Sequence, residues 1–313
     1  MGIWRTRIQL STGQPIGRPE ATRLPASYAA FPSFSRSGGL AYVSLQPVSS
    51  IWKKSLSGDG APVRLTPRAK RILYPSVSPN GEWVAACAQG TSENIVLFRT
   101  DGSEFRTLTS GAFRDRDPSW SPDGQTIAFG SNRGGEYQLW SVRKDGSALG
   151  PLVSHPSGAF SAVWSPNGQS LAWFTRGFQP YLSRGSVQTP LPLPGVGADG
   201  FRPSSWSDDG NALAGILRSR GGERVGVGVY TFSSHRYQAL GKRCDAVTWL
   251  PGSPIVLCAA GQNVSRLHLS GKADPPFRLP HPIENQFSVS RDGRVLYVSL
   301  IENLAELWLA DAH

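Results

Sequence analysis

The chain has 313 residues and a formal net charge of +10, with 35 Gly, 25 Pro and ten Trp against a single Met. It holds no run of about twenty apolar residues, which excludes a membrane-spanning helix of ordinary length, and no segment of helical periodicity long enough for a helical core. Frequent turn formers and many aromatic residues point instead to short strands joined by tight turns.

In chain order, Ile3-Trp4-Arg5 comes first and looks like the third strand of a repeat met later, and Pro19 to Leu24 looks like a fourth strand without its sheet. From Phe34 a unit then recurs seven times: FSRSGGLAYV from Phe34, VSPNGEWVAA from Val77, WSPDGQTIAF from Trp120, WSPNGQSLAW from Trp164, WSDDGNALAG from Trp206, WLPGSPIVLC from Trp249 and VSRDGRVLYV from Val289. The steps between copies are 43, 43, 44, 42, 43 and 40 residues, a β-propeller period.

The columns have physical reasons. The anchors Phe34, Val77, Trp120, Trp164, Trp206, Trp249 and Val289 are large and apolar, and the preceding residue is Ser33, Ser76, Ser119, Val163, Ser205, Thr248 or Ser288. Strand neighbours point to opposite faces, so bulky groups wedge between sheets while small ones face the crowded axis. Gly38, Gly81, Gly124, Gly168, Gly210 and Gly293 follow the anchors by four residues, mostly after Asn or Asp, and form tight turns. The sixth copy has Ser253 in that column, and Pro251-Gly252 is expected to turn the chain early. A third strand such as Leu139-Trp140-Ser141-Val142 and a short fourth one complete each unit.

The expected fold is therefore all-β: a seven-bladed propeller of four-stranded antiparallel blades, its ring closed by strands from both termini. As one domain over 1–313, the blades fall at approximately 25–66, 67–109, 110–154, 155–194, 195–240, 241–279 and 280–313, the last completed by 18–24, with 1–17 a redundant extension. Cys87 and Cys258 match in position and Cys244 sits alone in a connection, so all three are expected as reduced thiols.

The stretch DPSWSPDG from Asp117, continuing as QTIAFGSNRGGEYQLWSVRKDG, resembles the repeat of TolB-like propellers, relatives of WD-type repeats. The resemblance covers nearly the whole chain and weakens at Trp249. It implies a propeller with a binding role in a larger bacterial protein or complex. Propellers of this kind also precede serine peptidase domains, occur in pectin-fragment lyases, and serve as sensor modules. The alternative reading is thus a propeller-type enzyme or enzyme fragment.

The residues themselves carry little chemistry. There is no GxSxG turn, no phosphate-binding glycine loop and no HExxH pair, and no cofactor, metal or catalytic residue is assigned. His155 and His281 lie in corresponding connections, but no carboxylate pattern accompanies them. The connections and loops of one face collect Arg71, Arg114, Arg116, Arg133, Arg176, Arg202, Arg218, Lys242 and Arg243. This patch is the expected binding face, suited to an acidic protein surface or a carboxylate-bearing ligand. Nucleic acid is not expected, because no aromatic stacking platform is evident. MGIWRTRIQL lacks the apolar core of a secretion signal, so the expected location is the cytoplasm, with the periplasm the alternative for a piece of a longer chain.

Overall fold

Asn-Gly and Asp-Gly steps punctuate the computed structural model, which describes residues 4–9, 14–21, 29–34, 40–67 and 71–310. In the turn after Trp120, the Gly124 N–H donates to the Ser121 carbonyl at 2.9 Å, and Gly124 takes φ +66°, a conformation costly for any residue with a Cβ. The Ser121 hydroxyl donates to Asp123, which also accepts the Gln125 N–H at 3.0 Å. The same hydroxyl contact recurs at Ser78–Asn80, Ser165–Asn167, Ser207–Asp209 and Ser290–Asp292. It holds the Asp123, Asp209 and Asp292 carboxyls below their usual range. At the departing copy, Gly252 has φ +73° and turns the chain one residue early.

The chain falls into two units, one of Met1–Val48 with Glu302–His313 and one of Ser49–Ile301. In the first, Trp4–Ile8 pairs antiparallel with Pro15–Ala21, and Ala29–Phe34 pairs with the start of the strand Leu40–Ser55. Of the segment 18–24 expected to complete the last blade, residues 18–21 lie opposite Trp4–Ile8 and 22–24 fall outside the described residues. The side chain of the anchor Phe34 also lies outside them.

The second unit is a propeller of six blades, not seven. Five are four-stranded antiparallel meanders. The first comprises Arg71–Val77, Trp83–Gln89, Glu93–Arg99 and Phe105–Thr107, and the second Asp115–Trp120, Thr126–Ser131, Gln138–Arg143 and Gly150–Val153. The third runs through Phe160–Trp164, Leu171–Phe174, Pro180–Arg184 and Val187–Pro190, and the fourth through Gly200–Trp206, Ala212–Arg218, Arg224–Thr231 and Arg236–Ala239. The fifth holds Ala246–Leu250, Ile255–Ala260, Asn263–His268 and Phe277–Arg278.

The sixth blade is composite. Its inner strand Ile283–Val289 pairs with residues 295–301 of the strand Val295–Ala310, next to residues 49–55 of Leu40–Ser55, which pair with Val63–Arg64. The Leu56 N–H donates to the Arg294 carbonyl at 2.7 Å where the two segments meet. Ile283–Val289 lies against the inner strands of both the fifth and the first blade, closing the ring.

The miscount has a local cause. Each of the five regular blades carries glycine between its second and third strands: Gly90, Gly134 and Gly135, Gly177, Gly221 and Gly222, and Gly261. The first and seventh copies have none there, so no turn breaks the chain, and each continues as one 16-residue strand.

Blades are joined at the columns read from the sequence. Trp120 packs with Ala85, Ile95 and Leu97 of the blade before it, and Trp249 with Ala214, Val227 and Val229 of its predecessor. The Trp120 and Trp206 indole N–H groups donate across the seam to the carbonyls of Ser76 and Val163, at 3.1 and 3.0 Å. The serine column links neighbours too, since Ser288 Oγ accepts the Val77 N–H at 3.1 Å and Ser205 Oγ the Trp249 N–H at 2.6 Å.

The expectation of three reduced thiols is corrected. Cys244 and Cys258 form a disulfide with Cα atoms 5.7 Å apart, and Cys87 alone stays free and buried. Cys244 lies just before the inner strand of blade five, and Cys258 on the strand paired with it, a proximity linear spacing does not reveal.

Two outcomes follow for denaturant unfolding. Trp120→Ala opens the seam between two blades and should cost about 3–5 kcal/mol. Reducing Cys244–Cys258, which closes a 15-residue loop (separation 14), should cost about 3 kcal/mol, read as a shift of the urea midpoint with and without reductant.

Candidate binding face

Every inner strand of the propeller starts at one end, where the connection from the previous blade arrives and the second strand finishes. All nine basic residues marked in the sequence lie at this strand-entry end. Arg71, Arg116 and Arg202 are in inner strands, Arg114 immediately precedes one, and Lys242 and Arg243 lie in the connection that leads into Ala246–Leu250. Arg218 ends a second strand, while Arg133 and Arg176 follow one.

Most of that charge is already engaged. Arg71 pairs with Glu284, and Arg116 forks onto Glu93 through Nε and Nη2. This contact holds the Arg116 guanidinium protonated more firmly than usual. Arg133 donates to Asp115 Oδ2 at 2.6 Å, while the Ser131 hydroxyl donates to Oδ1 at 2.7 Å. The Asp115 side chain is fully buried, and the Arg133 guanidinium lies 4.5 Å above the Phe113 ring. Arg176 pairs with Glu136 at 2.5 Å in the open, and Lys242 donates to the Ser265 hydroxyl at 2.6 Å. Arg114, Arg202, Arg218 and Arg243 form no ion pair with a described residue.

Beneath this face the axis carries a polar ring that sequence reading missed. The inner strands of blades one, two, three and six each bulge. In each bulge one non-glycine residue takes a left-handed conformation: Tyr74 (φ 57°), Asp117 (52°), Ser161 (48°) and Asn285 (67°). Such residues cost about 1–3 kcal/mol each and gather at functional positions. A cavity of about 210 Å³ on the axis is lined from all six blades, by Pro75, Asp117, Ser161, Ser204, Thr248 and Gln286 among others. The Ser161 hydroxyl donates to Asp117 Oδ2 at 2.7 Å, and Asp117 Oδ1 is shut from solvent without a donor. Burial pushes the Tyr74 hydroxyl up; Asp117 adds to this while Arg116 and Arg202 oppose it. The available signal was the polar set Tyr74, Asp117, Ser161 and Gln286, three residues before the anchors Val77, Trp120, Trp164 and Val289.

An aromatic row also crosses this end. Arg116 lies 5.8 Å from the Tyr137 ring, followed by Tyr137–Phe160 at 5.7 Å, Phe160–Phe174 at 5.8 Å and Phe174–Phe178 at 5.5 Å, with Arg218 5.0 Å over Phe178. Tyr137 belongs to blade two and the three Phe residues to blade three, at positions that no linear motif links. His155 and His281 do not meet: His155 packs on Trp173 and Tyr181 in blade three, and His281 near Trp52 in blade six. Among the described residues no three His, Cys, Asp or Glu side chains converge as metal ligands, and no helix is long and apolar enough to cross a membrane.

The family model of the TolB beta propeller domain matches residues 26–184, half of the chain. The uncharacterized protein Atu1656 of Agrobacterium fabrum is 35% identical over 105 residues, 29% of this chain and 36% of its own length. The Tol-Pal system protein TolB of Zymomonas mobilis is 42% identical over 55 residues (17% and 12%), and the uncharacterized peptidase YuxL of Bacillus subtilis 37% over 95 residues (28% and 14%). The matches thus span little more than a third of any of these relatives. Among solved structures, putative TolB from Agrobacterium tumefaciens superposes with a TM-score of 0.65 at 14% identity, covering 83% of this chain and 100% of that one. TolB from Acinetobacter baumannii gives 0.61 at 14% identity, with 82% and 64% covered. At such identities the likeness is one of fold.

The two kinds of ion pair at this end should separate on substitution. Arg133→Met strands the buried Asp115 carboxylate and should cost about 3–5 kcal/mol. Arg176→Met removes an exposed pair, with side chains 67% and 64% accessible, and should cost less than about 1 kcal/mol. Urea unfolding of both variants checks this.

Proposed function

Because this chain belongs to the TolB β-propeller domain family, we propose that it is a non-catalytic binding scaffold whose strand-entry face holds an acidic segment of a partner protein. The observation that carries this reading is the sorting of its cations. Five of the nine have carboxylate or hydroxyl partners in the fold, while Arg114, Arg202, Arg218 and Arg243 have no carboxylate partner among the described residues. Unpaired guanidinium groups at the mouth of a polar channel attract acidic surfaces and set their register. The strained ring of Tyr74, Asp117 and Ser161 supports a ligand contact at the same mouth. The Cys244–Cys258 disulfide supports an oxidising compartment, and so the periplasm over the cytoplasm, as the place of action.

The test is capture of a fluorescein-labelled peptide rich in Asp and Glu by the immobilised protein. Arg114→Glu combined with Arg202→Glu should weaken capture at least tenfold, a loss of about 1.4 kcal/mol, without lowering the melting temperature. Capture by unaltered protein should also fall with added salt. A control, Arg143→Met, removes an exposed charge elsewhere on the second blade and should leave capture unchanged. Capture untouched by the double reversal moves the site off this face.

A further inference from the structure

Blade four gathers three guanidinium groups on one side of its sheet. Arg218 pairs across the ladder with Gly200 on one side and with Arg224 on the other. Arg202 lies two residues beyond Gly200, hence on the same face. Arg224 is neutralised by Asp245 at 2.7 Å, whereas Arg202 and Arg218 have no ion-pair partner among the described residues.

The packing around them is built rather than incidental. The position opposite Arg218 is glycine because Phe178 fills that space: a Cβ on Gly200 would come within 2.6 Å of the Phe178 Cβ. Phe178 is fixed there in a left-handed conformation, φ 60°, with its carbonyl accepting the Phe201 N–H at 2.9 Å. The Arg218 guanidinium rests on its ring at 5.0 Å and donates through Nη1 to the Gly222 carbonyl at 2.9 Å. Nε of Arg202 and Nε of Arg218 are both shut from solvent and have no acceptor. Burial, together with Arg202 and Arg224, pushes the Arg218 guanidinium down to about 10. Two adjacent like charges, each with an orphaned donor, lack the oxygens that would satisfy both.

We propose that Arg202 and Arg218 form an oxyanion subsite that takes one carboxylate group, its two oxygens shared between the guanidinium forks beside the Phe178 ring. The inference rests on the scaffold reading in that an acidic partner would supply the carboxylate. The cluster's stability is then traded for binding: the ion-free site carries unrelieved repulsion, and the ligand removes it.

The probe is succinate, titrated by calorimetry and followed by thermal melting, with inorganic phosphate in parallel. Succinate should bind the unaltered protein saturably and raise its melting temperature. Arg202→Met and Arg218→Met should each weaken that binding at least tenfold. Without ligand each should melt at or above the unaltered protein, which a purely structural role would not produce. Arg218→Lys keeps the charge but loses the fork, and should weaken binding several-fold while folding normally. The Arg143→Met control should bind succinate as before.

Absent succinate binding, or binding indifferent to Arg202→Met and Arg218→Lys, overturns the subsite. Phosphate binding at least tenfold tighter than succinate overturns the choice of carboxylate. If the acidic peptide is not captured while succinate binding persists and depends on the pair, the scaffold reading falls and the subsite stands.

Discussion

The seam between neighbouring blades is the constraint on which the rest of the propeller depends. A single sheet of four short strands buries too little to stand alone, and repeat folds gain stability from each interface. Here the interface is made twice over by adjacent residues. An anchor such as Trp120 or Trp249 fills the gap toward the preceding sheet, and the hydroxyl one position before an anchor accepts an N–H from the next blade. Because the two neighbours point to opposite faces of a strand, one column packs the wedge while the other lines the axis. The bulges of the inner strands follow from the same crowding: six strands converge on one narrow channel, and those of blades one, two, three and six kink there, turning Asp117 and Ser161 into it.

Much of this was legible in the residues. Turn glycines, anchors and the small polar column marked each inner hairpin, because these positions are dictated by local backbone geometry. The number of blades was not, since an inner hairpin alone does not make a blade. Gly134-Gly135 permits the second reversal in blade two, whereas Gln46-Pro47-Val48 in the first copy holds no glycine to take a positive φ there. The copy at Phe34 therefore enters a 16-residue strand instead of a meander.

The gathering of cations at the strand-entry end was legible in the sequence, and their ion pairing was not. Arg116 and Arg202 occupy the same place before their anchors and read alike in sequence. Glu93 reaches the first of them from a different blade, and no acid among the described residues reaches the second. Pairing of this kind is set by tertiary neighbours, as is the meeting of Cys244 with Cys258. The Tyr137–Phe160–Phe174–Phe178 row escaped notice for the same reason.

The composite sixth blade carries a kinetic consequence. Residues 49–64 supply its outer half and 283–301 its inner half, so the earliest part of the propeller to leave the ribosome waits for almost the latest. Blades one to five are local meanders able to form in order, but the inner strand of blade one lacks one neighbour until Ile283–Val289 arrives. Contacts of such long separation form late and slowly. During synthesis the open ring exposes an unpaired strand and a bare seam at either end, the state in which a chain of this kind is most open to misassociation or cleavage. Once the clasp shuts, unfolding from a terminus requires separating strands held from both ends of the repeat array, and the ring gains persistence beyond what any one blade confers.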